Sequence, residues 1–447
     1  MTRVVVVGGG LAGITAALDL AQAGAQVVVA EVRPRLGGAA YSVPRDGLVL
    51  DNGQHVFLRC CTDYRALLDR LGCAGDTVLQ DRLDIPVIAP GRAPARLRRS
   101  GLPAPLHLSA SLVRFGLIAP RDRARLAVAM LRLRGVDPDD PAADARSFGD
   151  WLAQQHQSPE AVEAIWRLIT VATLNLEPAD ASLAQAAYVF RVGLLQDAAA
   201  GDVGWSRVPL SQLHDGPARR ALAAAGAEVR LGVRVQHIER TPGGYEVQTA
   251  DGPLAADAVV VAVPAQRAGT LLPAGALADP SVPDRLGQSP ILNVHVHYDR
   301  PVLGEPFVAA VHSPVSWIFD RTASAGAGHG QVLALSLSAA DAIEHLDADA
   351  LRARMLPALG ELLPAARAAR VERFAVHREH AATFRAAPGQ RALRPPAASA
   401  LPGLAIAGAW TDTGWPATME GAVRSGHAAA RALTPVLRAA PREVIAA

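Results

Sequence analysis

The sequence of 447 residues predicts an α/β fold, in which a domain built on a parallel sheet is assembled from separate stretches of chain and an α+β domain is inserted between them. Three observations predict this fold. The chain begins with a β-branched run, a glycine-rich turn and a helix pattern, and the strand patterns ADAVVVAVP and GLAIAGAW come much later. The stretches between these patterns have a different mixture of helix and strand signals. Continuous apolar runs of this kind are typical of strands that are buried on both faces.

The first unit begins with the run Val4–Val7 and continues into a G-x-G-x-x-G turn. The first glycine of such a turn allows the tight bend, the second lets the backbone approach a pyrophosphate, and the third permits close packing of helix on strand. The pyrophosphate is expected at the N-terminus of the next helix, and an acid at the end of the second strand accepts hydrogen bonds from an adenosine ribose. The unit predicts a Rossmann-type dinucleotide-binding domain. Its predicted cofactor-binding residues are Gly8, Gly10, Leu11, Ala12, Gly13 and Glu31.

A second glycine pair follows in the segment EVRPRLGGAAYS, and LVLDNGQHVF comes next. This order resembles the flavin amine oxidase and carotenoid desaturase superfamily, in which E-x-R-x-R-x-G-G precedes a D-x-G segment. The resemblance implies that the dinucleotide is FAD and that His55 lies near its isoalloxazine ring. From the residues alone, His55 is equally well an ordinary hydrogen-bonded histidine of the core. The residues that the resemblance places along FAD are Arg35, Gly37, Gly38 and Gly53.

The later segments are predicted to complete the cofactor site. The segment Gly226–Pro264 predicts three or four short strands with TPGG as a hairpin turn. Within it, Val235 begins a V-x-x-I pattern that contacts the adenine in the same superfamily. GLAIAGAW is predicted to be the last strand of the parallel sheet, followed by a helix whose N-terminus points at the flavin and stabilises negative charge there. Gly408, Asp412 and Met419 are therefore predicted to bind the cofactor.

FAD is thereby held at one end by the first residues and at the other end by the last, so the domain that binds it is discontinuous. The FAD-binding domain is predicted to consist of residues 1–81, 205–290 and 399–440. The inserted substrate-binding domain is predicted to consist of residues 82–204, of which 82–200 are expected to be largely helical, and residues 291–398.

Composition limits the classes of function. The net charge of +2 is too small to indicate nucleic-acid binding. The chain has no lysine, which excludes a Schiff base or a lysine general base. Its three cysteines, Cys60, Cys61 and Cys73, lack Cys-x-x-Cys spacing, which favours a reduced, cytoplasmic compartment. No metal site is predicted, and no apolar stretch reaches the roughly 18 residues of a transmembrane helix.

The stretch 91–135 carries ten arginines and one acid, Asp122, with apolar residues between them. This composition is typical of an amphipathic segment on an anionic membrane surface, so a peripheral location on the inner membrane is expected. The alternative is a solvated, arginine-rich surface over a helix that faces the core. The apolar residues predicted to enter the membrane interface are Leu112, Val113, Phe115, Leu117 and Ile118.

Four segments together resemble a narrower family: DNGQHV, HVHYDRPV, HREHAATF and AGAWTDTGWPATMEGAVRSG. They are similar to the hydroxysqualene dehydroxylases, which are FAD-dependent, desaturase-like proteins of bacterial hopanoid pathways. The resemblance covers the whole chain. The sequence departs from it at Ala39, where relatives have an arginine, and at Ala409, where they have an aspartate that contacts the flavin ribityl chain. Asp412 is expected to compensate in part for Ala409.

The resemblance implies reductive dehydroxylation of hydroxysqualene, a C30 isoprenoid, to squalene and water, with hydride from reduced FAD. The electron donor is not visible in the sequence. The departing hydroxide must be protonated, because it is a poor leaving group at neutral pH. His55 is the first candidate for this acid, Asp412 is the second, and His295 and His297 are more distant candidates. Trp410 and Trp415 are expected to offer aromatic faces to a developing allylic cation.

Three alternatives stay open. A carotenoid or phytoene desaturase fits the same residues, and an assay is needed to separate the two reactions. A flavin amine oxidase is less favoured, because that class often uses a lysine at flavin N5 and its covalent forms use a late cysteine, whereas no cysteine follows Cys73 here. The third alternative is a non-enzymatic, FAD-stabilised membrane scaffold, whose flavin would neither be reduced nor reoxidised.

Overall fold

The computed structural model describes residues 1–439, so that residue 440, the last of the predicted segment 399–440, lies outside the described residues. The described part of the chain forms twenty strands: β1 (Arg3–Val7), β2 (Gln26–Glu31), β3 (Ser42–Arg45), β4 (Leu48–Asp51), β5 (Val56–Leu58), β6 (Thr77–Leu79), β7 (Asp84–Ile88), β8 (Ala95–Arg98), β9 (Val203–Ser206), β10 (Glu228–Leu231), β11 (Val235–Thr241), β12 (Gly244–Thr249), β13 (Gly252–Ala256), β14 (Ala258–Val261), β15 (Ser289–Tyr298), β16 (Phe307–Ala310), β17 (Trp317–Asp320), β18 (Gln331–Leu337), β19 (Val371–Thr383) and β20 (Leu404–Ile406).

The same residues form sixteen α-helices: α1 (Leu11–Gln22), α2 (Thr62–Leu71), α3 (Ser109–Val113), α4 (Pro120–Arg134), α5 (Pro141–Asp144), α6 (Phe148–Gln154), α7 (Pro159–Ala161), α8 (Leu168–Leu174), α9 (Leu183–Phe190), α10 (Leu210–Ala224), α11 (Ala265–Leu271), α12 (Val282–Arg285), α13 (Thr322–Ala325), α14 (Ala348–Leu362), α15 (Met419–Ala432) and α16 (Thr434–Ala439). Two π-helical segments, Val162–Arg167 and Arg191–Leu195, extend α7 and α9.

The first sheet is fully parallel, with the strand order β10-β2-β1-β14-β20. Its inner strands β1 and β14 pair with Val4 opposite Ala258, and apart from Arg3 all their residues are buried. Burial on both faces explains the continuous valine runs. Helices α1 and α15 pack closely together, because a Cβ at Gly426 would lie 2.4 Å from the carbonyl oxygen of Ala12. The predicted α/β class is confirmed.

The second large sheet has the order β19-β15-β18-β17-β16-β7-β8. It is antiparallel except where β16 pairs in parallel with β7. Strands β7 and β8 lie inside the region 82–200, so the prediction of a largely helical region is wrong for residues 84–98. Strand β7 is short and contains Pro86, and its partner β16 comes from a distant part of the chain. A local pattern does not reveal such a pairing.

Two of the predicted domain boundaries also change. Strand β9 crosses the boundary between residues 204 and 205, because it pairs with β5 and β6 from the N-terminal part of the chain. Strand β15 begins at Ser289, two residues before the boundary at 291. We propose the division otherwise unchanged, with a cofactor domain around the parallel sheet and an inserted domain around the seven-stranded sheet and helices α3 to α9.

The basic stretch 91–135 contributes to the core as well as to the surface. Phe115, Leu117 and Ile118 are at most 2% exposed, so the prediction that they enter a membrane is wrong. They belong to the same buried cluster as Phe148 and Trp166 of the helical insertion. No helix within residues 1–439 has both the length and the apolar composition that are needed to cross a membrane.

Candidate active site

A cavity of about 1430 Å³ extends from the turn after β1 to the helical insertion. Near the parallel sheet its wall is mostly backbone, from the β1–α1 turn and from the loop that follows β2. In the helical insertion its wall is mostly apolar, with Leu131, Ile165, Leu168 and Leu194 among the lining side chains. The cavity therefore has one end suited to a polar, extended ligand and one end suited to an apolar ligand.

Glycines form much of the backbone end of the cavity and of its support, and three of them leave no room for a Cβ. Gly8 has a φ of +107°, and a Cβ on it would lie 2.3 Å from the oxygen of Ala262. A Cβ on Gly38 would lie 2.7 Å from the Cα of Gly10, so these two turns touch backbone to backbone. A Cβ on Gly13 would lie 1.9 Å from the oxygen of Gly8, which fixes how closely α1 approaches β1. The result is a cradle that is open to a pyrophosphate.

Helix α1 points its N-terminus into this cradle. Its N-cap is Gly10, and no side chain caps the helix. The first N–H groups of a helix have no partner within the helix, and they carry partial positive charge. Leu11 and Ala12, the first two residues of α1, line the cavity. Their backbone would hold the pyrophosphate of a dinucleotide, so the residues present fit that group.

Glu31 lies at the end of β2 and is 6% exposed. Its Oε2 accepts a hydrogen bond of 2.6 Å from the backbone N–H of Gly9, and its Oε1 accepts one of 2.7 Å from the N–H of Arg33. The carboxylate therefore ties the glycine turn after β1 to the end of β2. Each carboxylate oxygen keeps further lone pairs, so Glu31 can also accept hydrogen bonds from ribose hydroxyls.

The C-terminal loop closes the cavity from the opposite side. Helix α15 begins at Met419, and Thr418 caps it by accepting a hydrogen bond from the N–H of Gly421. Trp410 is anchored by a hydrogen bond of 2.9 Å from its Nε1 to the oxygen of Val263. Trp415 has the guanidinium of Arg424 over its ring at 5.0 Å. Both tryptophans line the cavity, so the loop positions aromatic side chains beside the ligand.

Most of the residues predicted from the sequence meet at this cavity, although contact with the cofactor itself stays a prediction. Gly13 and Arg35 are predicted cofactor residues that are not among its lining residues. Gly13 acts through helix packing, and Arg35 donates a hydrogen bond of 3.1 Å to the oxygen of Gly38 while its guanidinium covers the ring of Tyr41 at 3.7 Å. The predicted residues that line the cavity are Gly8, Gly10, Leu11, Ala12, Glu31, Gly37, Gly38, Gly53, His55, Val235, Gly408 and Met419.

The predicted roles of Asp412 do not fit the structure. Asp412 is exposed, its carboxylate accepts a hydrogen bond of 3.2 Å from the N–H of Gly414, and it is not among the residues that line the cavity. A proton donor must reach the reacting group, and a cofactor ligand must reach the cofactor. The loop turns the Asp412 side chain to the surface, so Asp412 does not serve as the catalytic acid or as a replacement for the aspartate missing at Ala409.

His55 is the predicted catalytic residue that lines the cavity. It is partly buried, and its Nδ1 lies 3.2 Å from the oxygen of Gly53. Burial lowers the pKa of His55, although the hydrogen bond to Gly53 and the charges of Asp51 and Glu379 oppose this shift. Because this pKa lies below its ordinary value, the imidazole of His55 is mostly uncharged at neutral pH.

Three polar residues beside His55 were not identified from the sequence. Gln54, Asn293 and Glu379 all line the cavity. Asn293 donates a hydrogen bond of 2.8 Å to the oxygen of Asn52, while its own Oδ1 is buried without a partner. Burial opposes ionisation of Glu379, but hydrogen bonds from His377 and Asn52 outweigh it and lower the pKa of Glu379. An asparagine within the apolar strand ILNVHVHY was the available signal for Asn293.

Comparison with known proteins agrees with this geometry. The chain matches the family described as flavin containing amine oxidoreductase over residues 11–434. The hydroxysqualene dehydroxylase of Rhodopseudomonas palustris is 31% identical, with 95% of this chain and 96% of that protein covered. The zeta-carotene desaturase of Zea mays is 24% identical, with 95% of this chain and 82% of that protein covered.

Solved structures show the same fold. Cyclohexylamine oxidase from Brevibacterium oxydans superposes with a TM-score of 0.73 at 20% identity, covering 98% of this chain and 99% of that chain. The family match over most of the chain confirms the predicted resemblance and the prediction of FAD. The chain therefore belongs to the flavin-containing amine oxidoreductase family, within it to the group that includes the hydroxysqualene dehydroxylases, and it is an FAD-dependent oxidoreductase.

Proposed function

We propose that this oxidoreductase reduces hydroxysqualene to squalene and water, as a step of squalene and hopanoid biosynthesis. The observation that carries the proposal is the large cavity, which joins the dinucleotide cradle to a mostly apolar wall in the helical insertion. A C30 hydrocarbon gains on the order of 20 kcal/mol when it leaves water for an apolar site, at about 0.8 kcal/mol per CH₂. The similarity to a hydroxysqualene dehydroxylase over 95% of the chain supports the same substrate.

On the substrate, one bond breaks and two form: the allylic C–O bond breaks, a C–H bond forms at the allylic carbon, and an O–H bond forms on the departing oxygen. Reduced FAD, when bound, supplies hydride for the allylic carbon. The allylic C–O bond breaks, and the departing oxygen takes a proton, so that water leaves. His55 is the side chain proposed to give this proton, because it lines the cavity beside Asn293 and Gln54. Both amides line the cavity and each has one side-chain atom without a hydrogen-bond partner, so they are proposed to bind the hydroxyl group before it leaves.

The walls of the site also favour charge separation in the substrate. An allylic carbon that loses hydroxide carries positive charge, and aromatic faces attract cations. Trp410 lines the cavity and is held by its hydrogen bond to Val263. One face of Trp415 is already covered by the Arg424 guanidinium, so Trp410 is the better candidate for this contact.

A desaturase of the carotenoid or phytoene type is the second candidate function. The 24% identical zeta-carotene desaturase supports it, and an apolar cavity beside a flavin site serves either reaction. An amine oxidase is disfavoured, because the chain has no lysine to place beside the flavin.

The test is anaerobic incubation of the chemically reduced, flavin-loaded protein with hydroxysqualene, followed by product analysis. Squalene formed in proportion to flavin reoxidation supports the proposal. The parallel arm incubates oxidised protein with phytoene. If the phytoene arm gives a desaturated product and the hydroxysqualene arm gives no squalene, the dehydroxylase proposal is wrong and the desaturase function is supported.

Denaturation is expected to release all of the flavin, because FAD is proposed to be held without a covalent bond. No cysteine lies in the C-terminal loop that closes the cavity. The measurement is the flavin absorbance of the supernatant after acid precipitation, compared with the absorbance of the native protein. Flavin that stays with the precipitate would contradict the prediction and would direct attention to Cys60 and Cys61, which line the cavity.

We also propose that the enzyme takes its substrate from an anionic membrane surface. The apolar residues that support this are not those predicted from the sequence, apart from Val113. Leu106, Val113 and Leu131 both line the cavity and expose about half or more of their surface, so the cavity opens among them. The strongly exposed apolar residues of this region are Leu102, Leu106, Val113, Val128 and Leu131.

The arginines of the basic stretch 91–135 differ in whether they are paired with a carboxylate. Arg96 and Arg99 form ion pairs with carboxylates, Arg99 with the fully buried Asp202 at 2.6 Å. Arg114 and Arg134 are exposed and have no ion-pair partner within the described part of the chain. Each free basic group near an anionic surface contributes about 1 kcal/mol of binding, which salt screens.

Sedimentation with anionic liposomes should therefore show binding that weakens as salt rises. The double variant Arg114→Gln and Arg134→Gln should lower binding at low salt, and Val113→Ser should lower it at every salt concentration. Val43→Ser, an exposed valine on β3 outside this region, is the matched control. If the wild-type protein ignores anionic liposomes at low salt, the membrane proposal is wrong and this region is a solvated surface.

A further inference from the structure

A cluster of two histidines and one glutamate lies at the end of the seven-stranded sheet, away from the residues that line the cavity. His297 is near the end of β15, His329 precedes β18, and Glu372 is near the start of β19. One nitrogen or oxygen atom from each residue lies within 4.8 Å of the other two. The sequence predicts no metal site here, because the three residues are far apart in the chain.

The tautomer of His297 prepares it for a metal ion. Its Nε2 lies 3.0 Å from the carbonyl oxygen of His329, which can only accept a hydrogen bond, so Nε2 carries the proton. Nδ1 is then an unprotonated nitrogen with its lone pair directed into the cluster. Histidines that ligate metals commonly donate their other N–H to a backbone carbonyl in this way. His297 is 2% exposed, so its ring is held rigidly.

Two of the three distances between the candidate ligand atoms are close to those of a coordination shell. Glu372 Oε2 lies 3.6 Å from His297 Nδ1 and 2.8 Å from His329 Nε2. Ligand atoms on a tetrahedral zinc ion, at bond lengths near 2.0 Å, lie about 3.3 Å apart. His297 Nδ1 and Glu372 Oε2 are both hydrogen-bond acceptors and face each other. Their lone pairs repel each other unless a cation lies beside them.

Arginines provide positive charge near the cluster in this structure. Arg373 donates a hydrogen bond of 3.0 Å to His297 Nδ1, and Arg370 donates one of 3.0 Å to Glu372 Oε1. Oε2 of Glu372 accepts a hydrogen bond of 2.8 Å from His329 Nε2. A metal must therefore displace two hydrogen bonds, the one from Arg373 to His297 Nδ1 and the one from His329 to Glu372, and His329 then carries its proton on Nδ1. His329 is largely exposed, which gives an ion a path to the site and leaves room for water as a fourth ligand.

We propose that His297, His329 and Glu372 form a binding site for a divalent transition-metal ion, with Zn²⁺ as the ion best suited to two imidazoles and one carboxylate. The ion ties together β15, β19 and the segment before β18. Asn293 on β15 is four residues from His297, about 13 Å along the strand, and lines the cavity. The metal site is thus separate from the active site and does not depend on the proposed reaction.

Equilibrium dialysis of the untagged, flavin-loaded protein against micromolar Zn²⁺, followed by metal analysis, tests the site. The wild-type protein should bind one Zn²⁺ per chain at this site. His329→Ala and Glu372→Gln should each weaken binding by at least about 10- to 100-fold, the loss that even outer partners of metal ligands cause. His380→Ala is the matched control, because His380 is an exposed histidine on the same strand and is paired with Glu344.

A second readout separates loss of the metal from loss of the fold. Zn²⁺ binds the native state, so it should raise the unfolding temperature of the wild type and of His380→Ala but not of His329→Ala. The flavin spectrum of each variant should match that of the wild type. If the wild type binds no Zn²⁺, or if both ligand variants bind it as tightly as the wild type does, the site does not exist and the cluster is an ion-pair network.

Discussion

The His55→Ala variant is expected to keep its FAD and to lose turnover by about 10²- to 10⁴-fold, the range that a positioned proton donor contributes. The physical reason is the position of the side chain, which lines the cavity between the D-x-G segment and Asn293. The measurement is squalene formation from hydroxysqualene by the reduced variant under anaerobic conditions. His345→Ala, at an exposed position, is the control.

The pH dependence of the wild type distinguishes proton donation from packing. Burial lowers the pKa of His55 below its ordinary value, which is about 6.5. Donation needs the protonated imidazole, so kcat/KM should be highest below the lowered pKa and should fall as the pH rises through it. His55→Ala should lose this dependence as well as the rate. Normal turnover in the variant would make His55 a packing residue.

The parallel sheet could be predicted because its signals are local. Val4–Val7 must be apolar along its whole length to be buried on both faces, and the glycine turn that follows is dictated by backbone clashes. Both features are written in consecutive residues. The same holds for α15, where Thr418 caps the helix and Gly426 allows close packing on α1.

The errors come from contacts that consecutive residues do not encode. Composition identified 91–135 as basic and apolar, but it could not tell which apolar residues face inward. Phe115 became core, whereas Leu131 became exposed. The prediction for Asp412 was wrong for a similar reason, because a loop sequence does not fix the direction of its side chains. Glu379 was missed because strand β19 reaches the cavity only through its pairing with β15.

The Glu31→Ala variant is expected to weaken FAD binding by about 2–4 kcal/mol, which is roughly 30- to 1,000-fold in Kd. Two contributions add. The variant loses the acceptor that Glu31 offers to the ribose, and it frees the backbone N–H groups of Gly9 and Arg33, which the carboxylate holds at 2.6 and 2.7 Å. The glycine cradle then loses the side chain that fixes its shape.

The measurement for this variant is a titration of the apoprotein with FAD, followed by flavin fluorescence. Glu239→Ala, which removes an exposed carboxylate from β11, should leave the Kd unchanged and serves as the control. Far-UV circular dichroism of the apoproteins shows whether the fold is retained. A Glu31→Ala variant that is folded and binds FAD as tightly as the wild type would show that the cradle and the dipole of α1 are sufficient to hold the cofactor, and that Glu31 contributes only to the turn.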